Sequence, residues 1–339
     1  MKESGAYERF VRPLLFSLDP ETAHHLAINC LRLASRFSPV LGPLRSFEPP
    51  AKPIDLFGLT FRNPVGLAAG FDKSGVALPA WAALGFGFVE IGTVTAKPQP
   101  GNSKPRIFRY PEQQALINRL GFNNDGADVI AKRLRKLRES NRWPQIPVGI
   151  NIGKSKVTPL EDATEDYLYS FRLLSPLADY VTINVSSPNT LGLRSLQQHE
   201  ALSSLLIAIR EENRRARKPV LLKIAPDLSL YDLEAIIADC EANEISGIIA
   251  TNTTLDHISI SSMRDEAGGL SGAPLREKST EVVRLIRSRS RLPVIASGGI
   301  FDAQSASEKL NAGAQLLQIY TGYIFRGPRL IREITESLV

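Results

Sequence analysis

Apolar residues change their spacing along this chain, and the change divides it. Near the start they recur at helical intervals, Phe10, Leu14 and Leu15 and then Leu26, Ile28, Leu31 and Leu33. That spacing predicts two amphipathic helices, over residues 7–16 and 21–37. Asp19-Pro20 lies between them, an N-cap followed by a proline at the first helical position. Residues 39–53, rich in proline and without periodicity, read as a linker. After them the pattern becomes short apolar run, small or polar turn, helical stretch, repeated. The runs at 65–69, 88–93, 147–152, 180–185, 220–224, 247–251, 294–297 and 315–320 are predicted strands. Helices are predicted over 127–139, 197–217, 229–243, 277–290 and 302–311, and the window 76–94 reads as a helix followed by a strand. Eight short strands alternating with helices predict an α/β fold, a (β/α)8 TIM barrel over 54–339 that carries a small helical hairpin over 1–38.

Composition changes this picture little. At 43% hydrophobic and 22% charged residues the chain is ordinary for a globular protein. The net charge of +6 suits an anionic surface or an anionic small molecule, but the basic residues are dispersed. Their densest run, K-R-L-R-K-L-R at 132–138, has leucines at helical spacing and reads as a solvated helix face, so nucleic acid is not an expected partner. Cys30 and Cys240 are too few for a disulfide scaffold or a metal cluster, and are expected to be free, partly buried thiols in a reducing compartment. No signal-peptide pattern and no spanning helix is expected.

In a barrel the chemistry belongs to the loops that follow the strands. The fourth strand runs into N-V-S-S-P-N-T at 184–190, where Pro188 stops the ladder and leaves Asn184, Ser186, Ser187, Asn189 and Thr190 together. Buried amides and hydroxyls are costly without partners, so a ligand is expected there; a self-capping turn is the plainer alternative. The first loop, A-A-G-F-D-K at 68–73, offers small residues against which a flat ring can lie, and then Lys73. Thr93, Asn151 and the T-N-T-T of 251–254 follow the second, third and sixth strands. Lys223 lies within the apolar fifth strand and must find a negative partner or shift its pKa. A loop over 268–272, the S-G-G-I of 297–300 and the Y-T-G of 320–322 could present N–H groups to an anion, and the last two are where barrels hold phosphate. Paired carboxylates and a His/Cys metal set are both missing from this inventory, so no metal is expected and hydrolysis by two carboxylates loses support. A phosphate, a flat-ring pocket and many amides suit flavin mononucleotide (FMN) and a small planar polar substrate.

These segments, with I-G-T-V-T at 91–95, I-N-R-L-G-F-N-N at 117–124 and L-K-I-A-P-D at 222–227, occur in the order in which the class 2, quinone-linked dihydroorotate dehydrogenases have them, and the chain resembles that family over nearly its whole length. The resemblance implies a barrel holding one FMN, dihydroorotate oxidised to orotate in pyrimidine biosynthesis, and electrons passed to a membrane quinone. It implies FMN contacts at Ala69, Lys73, Thr93, Asn151, Asn184, Lys223, Thr251, Gly272, Gly299, Tyr320 and Thr321. Substrate contacts fall on Lys73, Asn118, Arg119, Leu120, Gly121, Phe122, Asn184, Asn189, Asn252 and Thr253. Ser187 matches the family's base, where class 1 relatives carry cysteine, and Thr190 is the candidate to help carry the proton away. A serine hydroxyl is a poor base and needs such a relay or desolvation. Lys223 would stabilise negative charge on the reduced flavin, and Lys73 would hold flavin and substrate carboxylate. The hairpin would rest at a bilayer surface and form the mouth of a quinone tunnel flanked by His24, with His25 as the alternative, and Arg109, with Tyr320 between tunnel and flavin. A peripheral protein on the cytoplasmic face of the inner membrane, without an obligatory protein partner, is the implied setting. Two other readings remain open on the residues alone: a Schiff-base aldolase using Lys223, and a flavin- or lipid-binding module without turnover.

Overall fold

The computed structural model describes residues 5–190, 192–260 and 265–338, and its first elements are helical. A π-helical turn, Tyr7–Val11, continues into α1 (Arg12–Phe16), and α2 (Pro20–Ala34) follows. Asp19 caps α2 as its position predicts, its carboxylate accepting from the N–H groups of Glu21 and Thr22, both at 3.0 Å. The stretch expected to be a linker is partly helical: α3 (Ser38–Leu44) forms with a proline in its first turn, where the missing N–H has no intrahelical partner to lose.

The strands, in chain order, are β1 (Ile54–Leu56), β2 (Leu59–Phe61), β3 (Val65–Leu67), β4 (Phe88–Val94), β5 (Ile107–Tyr110), β6 (Ala115–Asn118), β7 (Val148–Ile152), β8 (Tyr180–Asn184), β9 (Val220–Ile224), β10 (Gly247–Ala250), β11 (Gly269–Gly272), β12 (Val294–Ser297) and β13 (Leu316–Ile319). Eight of them close a parallel barrel in the order β10-β12-β13-β3-β4-β7-β8-β9, and these are the eight predicted strands. Helices cover it between strands, among them Ala127–Glu139, His199–Ala216, Leu230–Ala242, Arg276–Arg289 and Ala303–Asn311.

Period-two alternation explains why the chain closes this way. One parity of each strand is apolar throughout, as in Val89 and Ile91, Val181 and Ile183, or Leu222 and Ile224, and packs against the helices in the main core. The other parity points into the barrel. At the bottom it supplies an apolar plug of Phe88, Tyr180, Leu221, Ile249, Ile295 and Leu316, on which Phe61 and the β1–β2 hairpin sit. Gly66 and Gly149 make room for it, since a Cβ there would lie 2.3 Å from the Phe88 ring and 2.1 Å from that of Tyr180. One layer higher the same parity turns polar, with Glu90, Asn151, Thr182, Lys223 and Gln318. The floor is therefore sealed and the chemistry is confined to the top.

Two insertions complete that top. Between β4 and the helix Ala127–Glu139 the chain makes the antiparallel β5–β6 ribbon, and β11 adds to β6. Residues 268–272, expected as an anion-binding loop, thus lie largely in a strand, and Leu270 exchanges backbone hydrogen bonds with Thr254. The hairpin is fastened to both sides of the rim. Tyr7 donates to the Ile324 carbonyl (2.7 Å), and the Arg109 guanidinium donates to the carbonyls of Leu15 and Leu18 while stacking 4.5 Å from the Phe16 ring centroid. Ile28 and Leu31 pack onto the main core, whereas Phe10, Leu14 and Leu33 stay 66%, 66% and 58% exposed. Among the described residues no helix is long and apolar enough to cross a membrane. Cys240 is buried, but Cys30 is exposed rather than partly buried, because it lies on the outer side of α2.

A candidate active site at the strand ends

The polar layer of the barrel interior is built on Glu90. This wholly buried carboxylate accepts from Asn151 Nδ2 (2.9 Å), Tyr180 Oη (3.2 Å), Thr182 Oγ1 (3.0 Å) and Gln318 Nε2 (2.9 Å). From Asn151 the network climbs to the rim. Thr93 Oγ1 donates to Asn151 Oδ1 (2.6 Å), Asn184 Nδ2 donates to both Thr93 Oγ1 (2.9 Å) and Asn151 Oδ1 (3.1 Å), and Asn184 Oδ1 accepts from the Ser186 hydroxyl (2.9 Å). Asn252 Nδ2 then donates to Ser186 Oγ (2.9 Å). Each amide is oriented by a neighbour before any ligand arrives.

Above this network opens a cavity enclosing about 970 Å³ with its mouth. Its walls include Ala69, Lys73, Thr93, Asn118, Leu120, Gly121, Phe122, Asn184, Ser187, Asn189, Lys223, Thr251, Asn252, Thr253, Gly272, Gly299, Tyr320 and Thr321, so most of the residues singled out in the sequence meet in one place. Several do not reach it. Asn151 lies beneath the cavity as a spacer between Glu90 and Asn184. The Arg119 guanidinium turns outward, 2.8 Å from Glu266 and stacked on Phe108. Thr190 is buried, and its hydroxyl makes no hydrogen bond among the described residues. Sequence reasoning passed over Gln318, which also lines the walls, and Glu90, which showed only as a charge in an apolar run.

Burial acts against both lysines, as the sequence predicts for Lys223. Neither ammonium makes a hydrogen bond to the described residues, and both face the cavity. Burial pulls the Lys223 pKa down while the Glu90 carboxylate opposes the shift, so the negative partner and the pKa shift expected as alternatives are both present. Lys73 is brought down to about 8 by burial and then by the Arg106 guanidinium, against Glu21 and Asp72. Asp72 fixes the loop that carries it, accepting from the N–H groups of Val76 and Ala77 (both 2.9 Å) and from Trp81 Nε1 (3.1 Å).

On the hairpin side, rings lead outward from the cavity: Tyr320 lies 5.0 Å from Phe71 between centroids, and Phe71 lies 5.5 Å from His24. His24 is therefore the inward histidine, its pKa pushed down to about 3 by burial and by the nearby charge of Lys73, while His25 is exposed beside Glu21. Arg109 is committed to α1, through the Leu15 carbonyl and the Phe16 ring.

Comparison with known proteins agrees with this geometry. A model of the family described as dihydroorotate dehydrogenase matches residues 53–339. A dihydroorotate dehydrogenase (quinone) of Gloeobacter violaceus is 52% identical over 334 residues, 97% of this chain and 93% of that protein. One from Chloroflexus aurantiacus is 49% identical over 356 residues, 99% of this chain and 97% of its own. Among solved structures, the DHODH of Eimeria tenella in complex with ferulenol superposes with a TM-score of 0.83 at 37% identity, covering 94% of this chain and 90% of the other. Matched from the hairpin to the last helix, the chain belongs to the dihydroorotate dehydrogenase family, on its quinone-linked branch.

Proposed function

We propose that this chain oxidises dihydroorotate to orotate with FMN as its bound cofactor and a quinone as acceptor, serving pyrimidine biosynthesis. The observation that carries the reading is the cavity itself: two unpaired ammonium groups and an arc of amides surround Ser187 at the open end of a sealed barrel. The residues present fit FMN. Ala68, Ala69 and Gly70 leave a bare wall for a flat ring, and the buried Gln318 Oε1 has no partner among the described residues. At the far end no described group takes up the N–H of Gly298 or Gly299. A Cβ on Gly299 would lie 2.3 Å from Arg276 Cα and one on Gly322 only 1.9 Å from the Ile300 carbonyl, so this backbone has to be bare, as a phosphate cradle is. When bound, FMN takes the two electrons released by the substrate and delivers them to the quinone.

The chain's own residues do the rest. Lys73 pairs with the substrate carboxylate. Asn118, Asn189, Asn184 and Asn252 offer donors and acceptors to a ring that carries amide groups of its own, and Asn189 Nδ2, 3.3 Å from Asn118 Oδ1, joins two sides of the arc. Ser187 Oγ accepts the Asn189 N–H (3.3 Å), which aims the hydroxyl and steadies negative charge on it as it removes a ring proton. Thr190, with its hydroxyl unclaimed, takes that proton onward. Lys223, whose charged form Glu90 favours against burial, balances charge that accumulates on the cofactor side. The quinone enters along the His24, Phe71 and Tyr320 row. The exposed apolar residues of the hairpin, with Arg9 and Arg32 on the same helices, rest on the cytoplasmic face of the inner membrane as a peripheral attachment.

The test is direct. Purified protein is yellow, and dihydroorotate bleaches it anaerobically. Ser187→Ala slows that bleaching by about 100-fold or more, the worth of a positioned base. A wild-type flavin that dihydroorotate leaves oxidised would sink the assignment, and undiminished bleaching in Ser187→Ala would remove Ser187 as the base.

A further inference from the structure

Glu21 lies in the first turn of α2, on the element that faces the quinone, yet its side chain is only 7% exposed. What buries it is Arg106, in the excursion before β5, whose Nη2 is 2.7 Å from Glu21 Oε1 and whose Nε is 3.2 and 3.1 Å from the two oxygens. The remaining reach of that guanidinium goes to main chain: Nη1 donates to the carbonyls of Pro100 (2.6 Å) and Asn102 (2.9 Å). Asn102 in turn ties two walls of the cavity together. Its N–H donates to Leu120 O (3.1 Å), and its Nδ2 donates to Arg119 O (3.0 Å) and Asn189 O (3.2 Å). Lys156 Nζ holds its Oδ1 at 3.0 Å, and Gly121 packs so close that a Cβ there would lie 2.8 Å from Asn102 Cγ. Leu120, Gly121 and Asn189 line the cavity; Glu21, Arg106 and Asn102 do not.

The same pair acts on Lys73 by charge. Arg106 disfavours its ammonium, while Glu21 and Asp72 favour it. The other titratable group facing it, His24, is neutral above about pH 3. Removing the Glu21 charge leaves a buried guanidinium opposing the cation that receives the substrate carboxylate.

We propose that Glu21 of the N-terminal hairpin is a positioning residue for the substrate pocket. Through Arg106 and Asn102 it fixes the wall formed by Leu120, Gly121 and the Asn189 carbonyl, and its charge offsets Arg106 beside Lys73. The hairpin then serves both half-reactions, and losing it affects more than access to quinone. The inference rests on the cavity being the dihydroorotate site.

The experiment is orotate binding to the holoprotein, followed by the change in flavin absorbance across pH. In wild type, affinity falls as pH rises through about 8, where Lys73 loses its proton. In Glu21→Gln that fall begins about one unit lower, and binding on its acid side is about tenfold weaker, the equivalent of one well-placed hydrogen bond. Glu21→Asp, which keeps the charge, restores the wild-type position of the limb. The double variant Glu21→Gln/Arg106→Gln, with no uncompensated charge left buried, returns the limb towards wild type but keeps the weaker acid-side binding, and it carries the test where the single variant does not fold. Wild-type orotate affinity with an unmoved limb in Glu21→Gln, or wild-type acid-side affinity in the double variant, overturns the proposal. A wild-type flavin indifferent to both orotate and dihydroorotate would instead overturn the site assignment beneath it.

Discussion

Glu90 is the residue whose loss the barrel should feel most, and the size and pH dependence of that loss can be worked out in advance. Glu90→Gln keeps the shape but replaces one carboxylate oxygen by an NH2 group facing donors, where Asn151, Tyr180, Thr182 and Gln318 all need an acceptor. It also leaves Lys223 as a buried cation without the carboxylate that favours its charged form. Breaking a buried pair by removing one partner costs about 3–5 kcal/mol, and a hydrogen bond to a charged group about 1.5–3 kcal/mol; the two overlap here, so about 4 kcal/mol is expected. For 339 residues the unfolding entropy is about 0.7 kcal/mol/K, and Tm falls by about 6 °C.

The pH dependence separates this reasoning from simple loss of packing. Lys223 has a folded pKa below its unfolded value, so between the two the unfolded chain holds the extra proton and stability rises with pH. Removing Glu90 lowers the folded pKa further and opens that window at lower pH. The deficit of Glu90→Gln is then greatest on the acid side of that window and shrinks as pH rises towards the unfolded value, where Lys223 gives up its proton in both proteins. Thermal unfolding of wild type and variant at neutral and alkaline pH reads this directly. A deficit of equal size at both pH values refutes the electrostatic part, and no deficit refutes the whole.

Lys309 offers a second titration of the same sign, outside the cavity. Its ammonium donates to Arg276 O (2.9 Å) and Ser279 Oγ (2.5 Å), and burial brings its pKa down to about 7, so wild type should gain about 2 kcal/mol between pH 7 and 9 from this group alone; denaturant titrations should find that gain missing in Lys309→Met, and an equal gain in the variant contradicts it. Gly299→Ala should release flavin, because φ is +72° and the new Cβ would collide with Arg276 Cα at 2.3 Å; an unchanged flavin-to-protein absorbance ratio after gel filtration would show that the turn does not hold the phosphate.

The barrel was legible because its outward parity is uninterrupted. Val89 and Ile91, or Leu222 and Ile224, announce strands buried on both faces, and the polar residues that interrupt the opposite parity, Asn184 and Lys223, mark the site. What stayed hidden depends on partners far apart in sequence. β11 is four residues long and becomes a strand only by pairing with β6, Gly269 opposite Asn118, about 150 residues away in the chain. No local pattern reveals that Glu21 will meet Arg106 eighty-five residues on. Helix α3 was masked by Pro39 and Pro43, which read as loop unless the first is known to occupy the opening turn. Glu90 is one charge in an apolar run, and its four donors come from three other strands, so its role needed the closed barrel.

The two lysines solve one problem from opposite sides. A cavity that must attract a carboxylate and balance charge on a cofactor needs cations, and desolvation works against both of them. The charged form of each is favoured by a carboxylate that does not line the cavity: Glu90 for Lys223, from the polar layer above the apolar plug, and Glu21 for Lys73, from the hairpin, with Asp72 inside Lys73's own loop. Because the two supports belong to different elements, they are separable. Glu90→Gln should weaken the fold with a deficit that alkaline pH relieves, while Glu21→Gln should alter orotate binding and its pH limb. If the two variants instead shared one phenotype, the cations would be supported by the cavity as a whole, and assigning one carboxylate to each would be wrong.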